Sequence, residues 1–245
     1  MVGPYTVFWY ALVTAAATGL GAIPFLFFRD MSRRWLGLSN ALAAGLMGAA
    51  SSTLIYEGIA DSAPRVLLGV VLGLAFIAGT QRLLRTRPEA QLGSLRGADA
   101  TRGILIVAIM TLHSVTEGIA VGVSFGGGLT LGLFITIAIA VHNIPEGLAI
   151  CLVLVPRGEP VWRAAAWSVF SSLPQPILAV PAFLFVESFR PFLPVGLGFA
   201  AGAMLWMVFA EMIPEALEDA PRDAVALTVT LSLVAMIAFQ ALLRV

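Results

Sequence analysis

The chain reads as an all-α polytopic membrane protein with eight transmembrane helices, and three observations carry that reading. Of its 245 residues, 59% are hydrophobic and only 11% charged, far below the roughly 25% charged residues of a soluble domain. Its apolar runs reach the ~20 residues a helix needs to cross the hydrocarbon, and in lipid only helices or closed barrels satisfy their own backbone. The basic residues are fourteen arginines with no lysine, and they concentrate in alternate connections between the runs.

The spans follow in order at about 5–28, 36–60, 64–84, 103–125, 129–155, 162–187, 193–216 and 223–243, within a single transmembrane domain covering 1–245. The N-terminal run lacks the basic stretch and small-residue cleavage site of a signal peptide, so it is expected to remain a span. Arg29, Asp30, Arg33 and Arg34 close the first run, Asp61 and Pro64 separate the second from the third, and Gly126, Gly127 and Gly128 separate the fourth from the fifth. Pro156 to Pro160 end the fifth. The sixth carries "SSLPQPILAVP", in which Pro174, Pro176 and Pro181 each remove a helix donor. The segment 85–102 is long enough for a cytoplasmic loop and contains no histidine.

Orientation follows from the arginines. One set of loops holds Arg29, Arg33, Arg34, Arg82, Arg85, Arg87, Arg96, Arg102, Arg157, Arg163 and Arg222, and the other holds Arg65, Arg190 and Arg244. Basic residues are retained on the cytoplasmic side, which predicts both termini outside the cytoplasm. Fourteen arginines balanced by fourteen acidic residues do not indicate a basic nucleic-acid face. The single cysteine, Cys151, cannot form an internal disulfide and reads as a packing residue.

Against this background two copies of one motif stand out. "HSVTEGIAVG" occupies 113–122 and "HNIPEGLAI" occupies 142–150. Residues four apart share a helix face, so His113 with Glu117 and His142 with Glu146 form two potential two-ligand arms. With a glycine hairpin between them, at ~1.5 Å rise per residue, all four lie ~15 to 27 Å from the turn, near the membrane midplane. Residues 103–155 contain no arginine or lysine to neutralise Glu117 and Glu146. A charged carboxylate in hydrocarbon costs about 2.5–3.5 kcal/mol or more and usually marks an ion or proton path. A divalent cation supplies the missing charge, and imidazole with carboxylate suits zinc, iron or manganese.

Asn143, Ser114 and Met47 are further candidate ligands. Pro145 deprives the Val141 carbonyl of its donor, which predicts a local break beside His142 and Asn143. Gly118 and Gly147, each following its Glu, predict close helix approach. The plainer readings are a hydrogen-bonded pair on a helix surface, or a proton relay through Glu117 and Glu146. By the same plain reading Met47 is core packing, Glu57 and Glu211 are snorkelling or capping groups near span ends, and Glu215, Glu218, Asp219 and Asp223 form a solvated acidic turn.

These two motifs, with "AGLMGAASS" at 44–52, "FAAGAMLWMVFAEMIPEA" at 199–216 and, more weakly, "TGLGAIPF" at 18–25, resemble the ZIP (ZRT/IRT-like protein) divalent-metal transporters, particularly short bacterial members. The resemblance spans nearly all eight runs. It implies that the first three and last three helices form inverted repeats around a central metal-binding pair. It also implies both termini outside, uptake of zinc, iron, manganese or cadmium across the plasma (inner) membrane, and a homodimer in the lipid bilayer, with no organic cofactor. By position, Met47, His113, Glu117, Asn143 and Glu146 match the primary metal site, and Glu117 and Glu146 also face a second, adjacent one. His142 matches the leading position of the fifth-span motif, and Glu211 matches a carboxylate along the cytoplasmic exit.

Three positions depart from the family pattern: Ser114 stands where Asn is common, Asn143 where Asp is frequent, and Gln175, between Pro174 and Pro176, where Glu is usual. All three are ligand positions, so the number of metals is open. The reading is therefore a metal-ion permease. The competitors are an intramembrane zinc hydrolase, which would need a metal-activated water and a spare general base, and a proton-coupled organic-solute carrier.

Overall fold

The computed structural model describes residues 2–28, 31–85 and 98–243, with side chains left undescribed at 81 and 83–106. Most of the expected 85–102 loop, together with Arg29, Arg87, Arg96 and Arg244, lies outside the described residues. Helix α1 (Pro4–Thr18) continues as a 3-10 segment, Gly19–Leu26. Helices α2 (Arg33–Arg85), α3 (Ala98–Gly127) and α4 (Leu129–Leu154) follow. Then come α5 (Val161–Ser171), α6 (Pro174–Ser188), α7 (Leu193–Met207), α8 (Ile213–Asp219) and α9 (Arg222–Leu243). Seven helical stretches among the described residues are long and apolar enough to cross a bilayer, so the chain is an all-α polytopic membrane protein.

The second and third expected spans form one helical element, α2. Its 53 residues would reach ~80 Å as a straight helix, more than twice the hydrocarbon thickness. It is broken instead at Ser62, which is extended (φ −166°, ψ 101°). Pro64 needs no backbone donor in the first turn after the break, so the helix resumes at once beyond Ser62. Helix α3 begins at Ala98, ahead of the expected start of the fourth span.

The proline-rich sixth span divides into α5 and α6 at Ser172 and Leu173. Tight bonds satisfy the backbone there: Ser172 N donates to Val169 O (3.0 Å), Leu173 N to Phe170 O (3.2 Å) and Gln175 N to Ser172 O (3.0 Å). Pro181 lies inside α6 without ending it. The break predicted at Pro145 is absent, and α4 runs through it from Leu129 to Leu154. A proline removes one ladder bond, and here the flanking turns are buried, so packing keeps the helix continuous.

Between α7 and α8 a π-turn, Val208–Met212, inserts an extra residue and carries Glu211. π-Turns of this kind occur often at functional sites. Gly128 makes the α3–α4 hairpin with φ 133°, a conformation that costs a residue with a side chain.

The main core lies where α2, α3, α4 and α7 meet, around Met47, Ile135, Ile139, Leu197, Met204 and Met207. Helix α2 packs along α7, α3 along α6, and α1 against α4 and α6. The outer faces expose Leu67, Val71, Leu227 and Leu231, as lipid contact requires. Both motif glycines are packing notches. A Cβ on Gly118 would lie 2.7 Å from the Gln175 carbonyl oxygen, and one on Gly147 would overlap the carbonyl oxygen of Thr18.

Candidate metal centre

Helices α3 and α4 bring Glu117, His142 and Glu146 together, each offering a ligand atom within 4.8 Å of the others. All three are buried. His142 Nδ1 lies 3.2 Å from the Ala138 carbonyl oxygen, which can only accept, so Nδ1 carries a proton. Nε2 is then directed at Glu117 Oε1, 2.9 Å away, with Glu146 Oε1 at 3.9 Å. A ring nitrogen that donates to a backbone carbonyl while the other faces carboxylates is the usual arrangement of a metal-ligating histidine. Three N and O donors from two helices can make the protein share of a tetrahedral zinc shell.

The spacing put each His on one helix face with the Glu four residues later; the structure keeps His142 and Glu146 together in the cluster and adds contacts between helices that the spacing does not show. His142 makes its short contact to Glu117 on the neighbouring helix, while His113 Nε2 donates to Glu211 Oε2 at 2.8 Å. Shared helical face brings side chains near one another, but the axial offset of α3 and α4 and the π-turn under Glu211 decide which atoms meet. Glu211 is 5% exposed, so it is no snorkelling group. His113 Nδ1 sits 3.4 Å from the Met110 sulfur.

Around the cluster Gln175 Nε2 donates to Glu117 Oε2 at 2.6 Å. Its Oε1 accepts from Asn143 Nδ2 (3.2 Å) and lies against the Thr14 hydroxyl. Asn143 Nδ2 also donates to the Thr14 carbonyl at 2.8 Å. Among the described residues Ser114 Oγ, Asn143 Oδ1, Glu146 Oε1 and Glu211 Oε1 are buried with no hydrogen-bond partner. Orphaned oxygens of this kind need a proton, a water or a cation. Met47 is fully buried in the main core, and Ser114 is buried beside His113.

A cavity of about 330 Å³, lined by His113, Glu146, Glu211, Glu215, Asn40, Arg33 and Arg157, leads from the cluster toward the ends of α2 and α4. Glu215 there accepts from Asn40 Nδ2 at 3.2 Å, and Asp219 pairs with Arg33 at 2.8 Å. The acidic turn is thus partly docked on α2 rather than simply solvated. A second cavity of about 460 Å³ lies at the α3–α4 hairpin and is lined by Glu57, Gly128, Thr130, Phe134 and Gln240. Sequence reasoning missed Thr14, Met110 and Asn40. A lone threonine in an apolar span and a methionine one turn before a histidine are weak signals, because their partners lie on other helices.

The family model described as ZIP zinc transporter matches residues 88–241. The chain is 48% identical over 240 residues to a candidate zinc transporter of Arabidopsis thaliana, covering 97% of this chain and 39% of the plant protein. It therefore spans about two fifths of that relative's length. It is 35% identical over 220 residues to the zinc transporter GufA of Myxococcus xanthus (84% and 86% of the two chains). Against the zinc transporter ZIPB of Bordetella bronchiseptica it is 36% identical over 220 residues (82% and 69%). The matched region contains α3, α4 and every member of the buried carboxylate–imidazole cluster, and on that basis the chain belongs to the ZIP family of divalent-metal transporters.

Proposed function

We propose that this chain carries divalent transition-metal cations, zinc foremost and iron, manganese and cadmium besides, into the cytoplasm across the plasma (inner) membrane. The observation that carries this reading is the buried Glu117–His142–Glu146 cluster in two apolar helices without a basic residue. A divalent cation is the group that both fits these donors and offsets their charge. The relatives' names as zinc transporters support zinc. ZIP transporters are not enzymes, so membership of the family sets the hydrolase reading aside.

In this reading Glu117, His142 and Glu146 hold the ion at the midmembrane site. Asn143, Ser114 and Met47 are auxiliary donors on the same helices or the adjoining core, and Gln175 acts on Glu117. His113 and Glu211 form the next station toward the 330 Å³ cavity. The arginines at that cavity's mouth, Arg33 and Arg157, support its facing the cytoplasm. Along α4, buried Ile135, Ala138 and Ile139 separate the hairpin-side cavity from His142, which supports a conformation closed to the outside and open inward. Ion binding must be strong enough for selection and weak enough for release.

The break at Ser62 divides α2 into two lengths that each suit one crossing, which supports eight crossings, both termini outside, and inverted three-helix repeats about α3 and α4. The homodimer rests on the family resemblance alone.

Zinc or cadmium uptake into proteoliposomes, with a panel of competing metals and varied external pH, tests the proposal. Glu117→Ala and Glu146→Ala are each expected to abolish uptake. Wild-type rates in both would refute the site.

A further inference from the structure

We propose that Gln175 restricts the buried site to a single cation, because its amide occupies the Glu117 oxygen that a second, adjacent cation would require. The inference deepens the metal-site reading above and rests on it.

Gln175 is fully buried in the first turn of α6, just past the break that ends α5. The direction of its amide is set by a chain of contacts. The Thr14 carbonyl oxygen can only accept, so the Asn143 atom beside it is the NH2 group. That same NH2 donates to Gln175, so the Gln175 atom facing it is the carbonyl oxygen. The Thr14 hydroxyl also lies against this oxygen, its single proton shared with the Ala11 carbonyl oxygen at 2.7 Å. The remaining Gln175 atom, directed at Glu117 Oε2, is therefore its NH2 group, and it donates at 2.6 Å. Hydrogen bonds to a carboxylate are among the stronger ones in proteins, and more so away from water.

Two consequences follow for cations. Glu117 keeps Oε1 for an ion shared with His142 and Glu146, while Oε2 is faced by a group of partial positive charge where a second ion would sit. A carboxylate that bridges two metals with one oxygen on each turns its far oxygen to the second ion, and here that oxygen is turned to the Gln175 amide instead. Charge points the same way. The cluster has two carboxylates, which one divalent ion balances, and a further buried carboxylate, Glu211, is engaged by His113. A second ion at Gln175 would meet a neutral amide in buried surroundings and leave positive charge uncompensated. The bonds that turn Asn143 Nδ2 toward Thr14 and Gln175 also leave Asn143 Oδ1 buried and unpartnered.

The test is metal stoichiometry on the full chain purified in detergent, equilibrated with Zn2+, desalted and assayed by elemental analysis, with counts taken above a Glu117→Ala background. The expected result is one zinc per protomer for wild type and two for Gln175→Glu. X-ray absorption of zinc-loaded wild type should show no metal–metal scattering path, which tests the proposal even if the variant fails to fold. Two ions in wild type, or a metal–metal path, would overturn it. So would a folded Gln175→Glu protein that still binds one. No zinc above background in wild type would instead sink the metal-site reading on which the proposal stands.

Discussion

His142 and His113 occupy equivalent places in two copies of one motif, yet their surroundings differ. His142 has one nitrogen held by the Ala138 carbonyl and the other aimed at Glu117, with Glu146 beside it. His113 faces Glu211 and the Met110 sulfur. Loss of His142 therefore removes a donor from the three-residue cluster, whereas loss of His113 removes a group from the cavity leading out of it. His142→Ala is expected to weaken zinc binding at least ~10-fold, at or beyond the loss typical of disturbing a metal ligand's support. Competition against a chromogenic chelator measures it, and an unchanged affinity would show that His142 only fills space. The two i, i+4 spacings were visible in the sequence, and they did put each pair on one helix face. They did not show the pairings, because the contacts His113–Glu211 and Gln175–Glu117 join residues 98 and 58 positions apart.

At the scale of elements, site geometry depends on three departures from regular helix. The break at Ser172 and Leu173 starts α6 beside Glu117, the π-turn at Val208–Met212 carries Glu211 to His113, and the extended Ser62 interrupts α2. Prolines announced the first of these and Pro64 accompanied the third, but nothing in "VFAEM" announces a π-turn, a segment that packs against α2 together with α7 and α8. Pro145 shows the converse: a residue that reads as a breaker sits in a continuous helix because its neighbours are buried.

Close backbone approach is equally specific. Gly147 meets the Thr18 carbonyl at the end of α1, so Gly147→Ala forces α1 away from α4 and is expected to destabilise the fold by about 1–3 kcal/mol, as overpacking does. Gly79→Ala, where an added Cβ meets nothing within 4 Å, serves as the control with an unchanged melting temperature. Equal melting temperatures for both variants would show that the α1–α4 contact yields without cost.

For the whole molecule, the question is which side each cavity faces. In the proposed orientation, which follows the arginine distribution, the 330 Å³ cavity is cytoplasmic and the α3–α4 hairpin external. Native Cys151 is fully buried and should stay silent to a membrane-impermeant maleimide, so introduced cysteines report alone. In cells labelled from outside, Thr130→Cys at the hairpin is expected to react and Arg222→Cys at the start of α9 to react only after permeabilisation. The reverse pattern would invert the orientation and turn the proposed uptake into export.

By itself the sequence determined that this chain lives in a membrane, roughly where its helices run, and that the two motif-bearing helices carry carboxylates with no basic residue to balance them. Those are properties of composition and local spacing, which a linear chain displays directly. Tertiary structure decided which side chains meet: Glu117 with His142 and Glu146, His113 with Glu211, and the Gln175 amide with the second Glu117 oxygen. Such pairings depend on helix offset, rotation and the placement of breaks, set by packing between segments far apart in the chain.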